Sequence, residues 1–181
     1  MDAAAIHQRL LQHFGAEIVL GLAPAAEGMR DPFLTVAAAR VSKVCLLCKL
    51  EPDLRFDFLQ SLTALHVPSA SGGELQLVYH LFSYAHRHTL VLKCAVPLEA
   101  PELPSCVPVW PVADWYEREA FDLFGVRFAG HPDLRRLLLP EDWPGHPMRK
   151  DWKEPASYNG MRTTRENPLD VLGAAGEEVT P

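Results

Sequence analysis

Two of the four cysteines, Cys45 and Cys48, lie three residues apart, a spacing that can hold a metal ion or form a redox-active pair. They also fall on the apolar positions of a helix that begins near Val41, where cysteine behaves as a small apolar residue. Cys94 shares a strand face with apolar residues and Cys106 lies in a proline-rich stretch, so no second close pair completes a four-ligand site. The pattern favours core thiols, and we do not expect an iron–sulfur cluster.

Three histidines, His80, His86 and His88, surround a predicted hairpin turn and would bind a metal ion if they converged. No carboxylate or thiolate stands beside them in the sequence, so the pattern favours exposed hairpin residues. His131 and His146 each precede a proline in a turn, and we expect hydrogen bonds from these rings to fix the shape of their loops. Neither has a serine, cysteine or acidic neighbour at the spacing of a catalytic triad.

Glu117 and Glu119 are close enough along the chain to be paired acids, but the local pattern favours a structural function. Asp114 is placed to cap a helix, and Glu117, three residues later, is placed to complete a capping box. Arg118 and Asp122 are spaced for an i, i+4 ion pair on the same helix. We therefore predict a helix cap and charge-assisted contacts to arginine rather than acid–base catalysis.

The composition excludes several classes of function. Seventeen lysines and arginines against 23 acidic residues give a net charge of −6 without a basic cluster, so nucleic-acid binding is not expected. The glycines form no phosphate-binding loop, and nucleotide or NAD binding is not indicated. The apolar runs fall short of the ~18 residues that span a membrane, and Met1-Asp2 opens no signal peptide. The chain is therefore expected to be neither exported nor a membrane span, with reduced thiols.

The first half of the chain carries the patterns of a small α+β domain. Predicted helices cover residues 4–14, a segment beginning near 41, and residues 58–65 with Asp57 as the cap. Predicted strands cover residues 17–20, 33–37, 74–84 and 89–96. This order predicts a small, mostly antiparallel sheet with helices on one face, over residues 1–96.

The second half differs in composition from the first, because most of the 16 prolines and all four tryptophans lie beyond residue 96. Residues 97–111 cannot form a central strand and are expected to run extended over the surface. A helix from Asp114 to a stop at Gly125 follows. Prolines then keep the chain extended around Trp143, His146 and Arg149, so residues 97–152 form a linker, a helix and a docking segment. Residues 153–181 have the composition of a polar tail.

This second half carries a family resemblance. The motif residues are Glu117-Arg118-Glu119, Asp122, Phe124-Gly125, His131-Pro132-Asp133, Arg135-Arg136 and Arg149-Lys150-Asp151. With these residues the chain resembles the 30 kDa subunit family of the proton-pumping NADH:quinone oxidoreductase, respiratory complex I. The match is densest over residues 103–152.

The resemblance implies a non-catalytic core subunit of the peripheral arm, which binds and stabilises the quinone-site subunit. It implies no cofactor in this subunit, with flavin mononucleotide and iron–sulfur clusters in the partner subunits and with NADH and quinone as substrates of the complex. It also places the chain on the cytoplasmic face of the bacterial inner membrane, touching the membrane only through the complex. The expected partner-binding residues are Glu117, Arg118, Glu119, Asp122, Phe124, Gly125, His131, Pro132, Asp133, Arg135, Arg136, Trp143, Arg149, Lys150 and Asp151.

Two alternatives stay open at this point. The first is the equivalent subunit of a membrane-bound nickel–iron hydrogenase or a related energy-converting complex, since nothing in the chain identifies the electron donor. The second is a small metal or thiol redox enzyme that uses Cys45, Cys48 and the hairpin histidines.

Overall fold

The structure is a computed structural model that describes residues 2–25, 31–69 and 73–163. The chain divides into two compact units, Met1–Lys150 and Asp151–Pro181. The predicted domain limits at residues 96 and 152 stay predictions. In the second unit, the described residues include a two-stranded antiparallel ladder of Ser157–Tyr158 and Met161–Arg162.

A five-stranded sheet organises the first unit. Its strands are β1 (Val19–Ala23), β2 (Phe33–Val36), β3 (Phe58–Val67), β4 (Glu74–Ser83) and β5 (His88–Pro97). They lie side by side in the order β1-β2-β5-β4-β3, and every neighbouring pair is antiparallel except β2 with β5. The predicted α+β class with a mostly antiparallel sheet is confirmed.

The helices α1 (Ala3–Phe14), α2 (Val41–Leu50) and α3 (Ala113–Phe124) contribute to one core with a single face of this sheet. The Asp2 side chain caps α1 by accepting a hydrogen bond from the Ala5 N–H. The α2 helix buries Cys45 and Cys48 completely, and the sheet contributes alternate residues of β4 and β5, such as Leu77 and Leu92. The prediction that the two cysteines are core residues is confirmed.

The predicted helix over residues 58–65 is wrong, because this segment is strand β3. Its pairing with β4 shifts register between Leu59 and Ser61, so the buried positions run from Leu59 to Leu62 before strict alternation resumes. The three-residue spacing from Leu59 to Leu62 is also typical of the buried side of a helix, which explains the wrong prediction. The Asp57 carboxylate accepts a hydrogen bond from the Tyr84 N–H at the end of the neighbouring hairpin, instead of capping a helix.

The expectation that residues 97–111 lie on the surface is also wrong in part. A short strand β6 (Glu102–Pro104) pairs in parallel with β7 (Arg127–Ala129), and this ladder closes one end of the core. Leu103, Cys106 and Trp110 are buried, and the Trp110 indole donates to the Phe56 carbonyl at 3.1 Å. The prolines limit the ladder to three residues, but the apolar residues between them still pack inward.

The prediction of exposed hairpin histidines fails for His88. Its ring is buried 4.6 Å from the ring of Phe56, and Nε2 hydrogen-bonds the Leu54 carbonyl at 2.8 Å. Burial lowers the pKa of His88 below its ordinary value. His86 is exposed as expected, with Nε2 bonded to the Pro52 carbonyl.

Candidate functional site

The helix α3 begins without the predicted capping box. Val112 occupies the cap position and makes no side-chain cap bond, while backbone bonds of the preceding turn, such as Ala113 N–H to Trp110 carbonyl, lead the chain into the helix. The Asp114 carboxylate contacts His131 Nε2 at 3.2 Å instead. The prediction that Asp114 and Glu117 cap the helix is therefore wrong.

Glu117 points into the core and ties α3 to the linker. Its carboxylate accepts hydrogen bonds from the Ser105 hydroxyl and the Cys106 N–H, both at 2.6 Å. Burial raises the pKa of Glu117 from 4.5 to about 7, and these two hydrogen bonds oppose the rise. Its partners lie 11 and 12 residues earlier in the chain, so no local pattern indicated them.

Asp122 is a buried anion that holds the loop after α3. Its Oδ2 accepts from the N–H groups of Leu137, Leu138 and Leu139 at 3.1, 2.7 and 2.8 Å. Its Oδ1 accepts from Arg136 Nη1 at 2.8 Å. Burial alone would raise the pKa of Asp122, but the three N–H groups and the guanidinium outweigh it and lower the pKa below its ordinary value.

The two inward arginines complete this arrangement. Arg136 also donates to the carbonyls of Trp143 and Gly145, so one guanidinium joins the helix to two points of the loop. Arg118 donates to the carbonyls of Arg135 and Arg136 at 3.3 and 3.2 Å. The predicted i, i+4 pair between Arg118 and Asp122 does not form, because Asp122 is occupied by Arg136 and the loop.

Gly125 ends α3 as predicted, with φ of 79° in the left-handed region. Glycine is required there for a second reason, since a Cβ atom would lie 2.7 Å from the ring of His146. The His146 Nδ1 in turn hydrogen-bonds the Asp122 carbonyl at 2.9 Å. The loop therefore crosses directly over the end of the helix.

His131 fixes the first bend of the loop. Its Nδ1 accepts from the Asp133 N–H at 3.0 Å, which leaves Nε2 to contact Asp114. An exposed ion pair of Asp133 with Arg135 at 2.8 Å follows. Both histidines thus make the loop-shaping hydrogen bonds that the sequence predicted.

The outward side of this region combines apolar, aromatic and charged side chains. We define the docking face as six exposed residues of α3 and its loop, namely Trp115, Glu119, Asp133, Arg135, Leu138 and Met148. Trp115, Leu138 and Met148 are 57%, 62% and 57% exposed, although such side chains are usually buried. The Arg118 guanidinium lies 5.5 Å from the centre of the Trp115 ring, in a cation–π contact on the buried side of that ring.

The predicted partner-binding residues thus divide into three groups. The exposed ones are Glu119, Pro132, Asp133, Arg135, Lys150 and Asp151, and the partly buried ones are Gly125, His131, Arg136, Trp143 and Arg149. The buried ones are Glu117, Arg118, Asp122 and Phe124. A contribution of the buried group to partner binding is therefore indirect, through the shape of the loop. Sequence reasoning did not select Trp115, Leu138 and Met148, because an exposed apolar residue cannot be told from a buried one by type alone.

The cysteines have the properties of inert thiols. Burial raises the pKa of Cys48 to about 12 and that of Cys94 to about 12. A hydrogen bond with Cys106, together with burial, raises the pKa of Cys45 well above its ordinary value. Thiols of this kind carry no thiolate near neutral pH, and the thiolate is the reactive form. Their burial argues against the thiol redox alternative.

The described residues provide neither a metal-binding group nor a membrane-spanning helix. No group of three or more His, Cys, Asp or Glu among the described residues is arranged to hold a metal ion. Over the same part of the chain, no helix has both the length and the apolar character needed to cross a membrane.

Comparison with protein families gives one match over most of the chain. Residues 34–158 match the model of the family described as respiratory-chain NADH dehydrogenase, 30 kDa subunit. This range includes β3 to β5, nearly all of β2, the linker, α3 and the whole docking face.

Curated relatives have the same assignment, and each is a subunit of an NADH-quinone oxidoreductase. The relative from Nocardioides sp. is 40% identical over 163 residues, covering 80% of this chain and 64% of the relative. The relative from Acidothermus cellulolyticus is 46% identical over 121 residues, covering 65% of this chain and 63% of the relative. That from Roseiflexus castenholzii is 39% identical over 142 residues and is covered to 81%. The chain thus spans under two thirds of the length of the first two relatives.

Two solved structures have a similar fold. A trypsin-resistant fragment (1–134) of Nqo5 superposes with a TM-score of 0.57 at 27% identity, over 71% of this chain and 99% of the fragment. A chain of the membrane-bound sulfane sulfur reductase, an archaeal respiratory membrane complex, superposes with a TM-score of 0.67 over 91% of this chain and 96% of that chain. At 24% identity, the second likeness shows the fold alone.

Proposed function

Since the chain belongs to the family of the respiratory-chain NADH dehydrogenase 30 kDa subunit, we propose that it fills this position in an NADH–quinone oxidoreductase. The proposal rests on the family match over residues 34–158 and on the names of the curated relatives. NADH oxidation, quinone reduction and proton translocation are activities of the whole complex in this proposal. In this proposal the chain lies on the cytoplasmic face of the bacterial inner membrane and touches the membrane only through the complex, whose other subunits hold flavin mononucleotide and iron–sulfur clusters.

The contribution of this chain is architectural. Three of its charged motif residues make internal contacts: Glu117 binds the linker, Asp122 binds the loop, and Arg136 joins the helix to two points of that loop. Their common effect is to hold the docking face in one conformation before a partner arrives, which lowers the entropy cost of association.

The observation that carries the binding proposal is the exposed apolar set on a rigid support. Tryptophan, methionine and arginine are enriched at the centres of protein interfaces, and Trp115, Met148 and Arg135 are exposed on this face, as is Leu138. We assign this face to the quinone-site subunit. That partner would cover the side chains of Trp115, Leu138 and Met148. It would leave the buried hydrogen bonds of Asp122 with Arg136 and the loop unchanged.

Gentle detergent purification from native membranes tests this proposal. The full chain carries a tag at its N-terminus, away from the docking face, and mass spectrometry identifies every retained protein. We expect a flavin subunit, iron–sulfur subunits and the quinone-site subunit. A nickel-bearing large subunit would reassign the chain to the hydrogenase branch, and a chain recovered alone would contradict the proposal.

A further inference from the structure

Histidine rings of the described residues contact backbone groups in two ways. At His86, His88 and His146 a ring nitrogen lies against a carbonyl oxygen, so that nitrogen carries a proton and donates it. At His66 and His131 the ring Nδ1 instead accepts a hydrogen bond from a backbone N–H. Only the second kind of contact needs a neutral ring, because an imidazolium carries N–H groups at both nitrogens and accepts nothing.

The two accepted N–H groups lie towards the two ends of the loop that follows α3. His131 accepts from the Asp133 N–H at 3.0 Å, and His66 accepts from the Lys150 N–H at 3.0 Å. Asp133 is itself a residue of the docking face, and Lys150 follows Met148 of that face by two positions. Both ends of the segment that presents the docking face are therefore held through neutral imidazole rings.

Burial makes these two acceptors hard to replace. His66 is 7% exposed, and the side chain of His131 is 1% exposed. When a buried acceptor becomes a donor, two N–H groups face each other with little access for water, and the contact turns from attractive to repulsive. Histidine is the residue whose charge usually changes between about pH 8 and pH 5. We therefore expect a fall in pH over this range to release both ends of the segment.

The charged groups around His131 lie on α3 and on the loop. The Asp114 carboxylate of α3 is 3.2 Å from Nε2, and Asp133 forms its ion pair with Arg135 in the loop. The Arg118 guanidinium of the same helix is within electrostatic range of Asp133. A protonated ring keeps its contact with Asp114 and so stays in place. The proton therefore reverses only the contact at Nδ1, where the ring meets the Asp133 N–H.

The surroundings of His66 lie on the loop, on the β3–β4 connection and on β4. Arg149 and Lys150 are consecutive in the loop, so a proton on the ring adds a third positive charge there. Nε2 faces the backbone at Gly73, where a Cβ atom would lie 3.3 Å from it. Glu74 of β4 pairs with the residue after His66, so its side chain lies on the opposite face of the sheet. Protonation therefore adds like charge at this end of the segment.

We propose that His66 and His131 are positioning residues, which hold the docking face in its binding conformation only while both rings are neutral, so that docking of the quinone-site subunit weakens as the pH falls. The proposal deepens the proposed function and rests on it. Glu117 acts in the opposite direction, because the folded chain gains stability from the Glu117 proton as the pH falls. A loss of docking at low pH therefore does not come from Glu117.

The test uses the complex that the N-terminal tag recovers. The complex is immobilised through the tag, and the rate at which the quinone-site subunit leaves is measured at about pH 7.5 and about pH 5.5. We expect about tenfold faster release at the lower pH, the effect of losing two neutral hydrogen bonds. In the double variant His66→Asn, His131→Asn the amide oxygen accepts at either pH, so the ratio of the two rates should fall below about twofold. His86→Asn, whose ring contacts a carbonyl, is the control and should keep the tenfold ratio.

Amide NMR signals of the full wild-type chain give a second measurement, which also tests the inference if the double variant does not fold. Over the same pH range, the signals of Asp133 and Lys150 should shift, whereas that of Leu138, whose N–H is bound to Asp122, should not. Equal rate ratios in the wild type and the double variant, or unshifted signals of Asp133 and Lys150, would overturn the inference. Those results leave the proposed function intact, whereas recovery of no other subunit at the higher pH would overturn both.

Discussion

Glu117 and Asp122 are both buried acids on one helix, and their surroundings move their pKa values in opposite directions. Asp122 meets a guanidinium and three N–H groups, which stabilise its charge. Glu117 meets only a hydroxyl and one N–H, and burial raises its pKa to about 7. One acid is therefore a permanent anion of the fold, and the other changes charge close to neutral pH.

We predict that Glu117 makes the fold less stable as the pH rises. The folded pKa lies above the unfolded value of 4.5, so the folded chain holds the proton more tightly, and this stabilisation is lost as the pH rises through about 7. The effect is at most about 3 kcal/mol. Glu117→Gln, which mimics the protonated acid, should remove this slope in urea unfolding between pH 5 and pH 8. Glu119→Gln, on the exposed side of the helix, is the control, and an unchanged slope in Glu117→Gln would contradict the assignment.

We predict that Asp122→Asn opens the loop. The change removes the charge that pairs with Arg136 and turns one of the two acceptor oxygens into an NH₂ donor. The amide therefore cannot accept from the guanidinium and from the three N–H groups together, at a cost of about 3 kcal/mol. Amide hydrogen exchange at residues 137–139 should accelerate by about a hundredfold. Asp133→Asn changes an exposed ion pair of the same loop and should leave that exchange unchanged. Equal exchange rates in the two variants would show that the Asp122 carboxylate does not hold the loop.

At the scale of elements, the end of α3 depends on one glycine for two separate reasons. Gly125 has a positive φ and lies against the ring of His146, while Gly130 has a similar φ of 81° with open space around it. The two positions therefore separate backbone strain from steric contact.

We predict that Gly130→Ala costs about 1 to 2 kcal/mol from strain alone. Gly125→Ala should cost a further 1 to 3 kcal/mol, roughly the cost of overpacking, since its methyl group would overlap the His146 ring. Thermal or urea unfolding measures both. In a double-mutant cycle, His146→Ala should remove most of the extra cost, and additive effects of Gly125→Ala and His146→Ala would contradict the steric account.

The elements that could be predicted from the sequence are those whose pattern is local. The stripe of α2, with Cys45 and Cys48, and the end of α3 at Gly125 follow from spacing and residue type. Strand β3 was missed because the bulge after Leu59 breaks the two-residue alternation. Ser105 and Cys106 were missed as partners of Glu117 because the contact depends on how the linker folds back, which no short window of sequence contains.

The same limit applies to the candidate site. The family motif of residues 117–151 identified the segment that shapes the docking face, because the order of its charged residues is characteristic of the family. It did not separate inward from outward residues, since Asp122 and Asp133 look alike in sequence and differ only in what surrounds them.

At the scale of the whole molecule, the docking face is tested by a matched pair of leucines. Leu138 on this face and Leu50 at the end of α2 are 62% and 66% exposed, so aspartate at either position should leave the fold stable. We predict that Leu138→Asp lowers the yield of the quinone-site subunit in the tagged purification by at least about tenfold, the effect of losing an interface anchor. Leu50→Asp should retain the normal yield. Equal yields would remove Leu138 from the interface.

The parallel pairing of β2 with β5 also sets an order of events during synthesis. Phe33 pairs with Val91, so about 60 residues must be added after β2 before its partner exists. At usual rates of translation this takes about 3 to 12 s. The β1–β2 pair therefore leaves the ribosome with the β2 edge that will meet β5 still unpaired, while β3, β4 and β5 form from neighbouring segments. During that interval the nascent chain needs protection from edge-to-edge aggregation, and a chaperone or the ribosome surface is the first candidate to supply it.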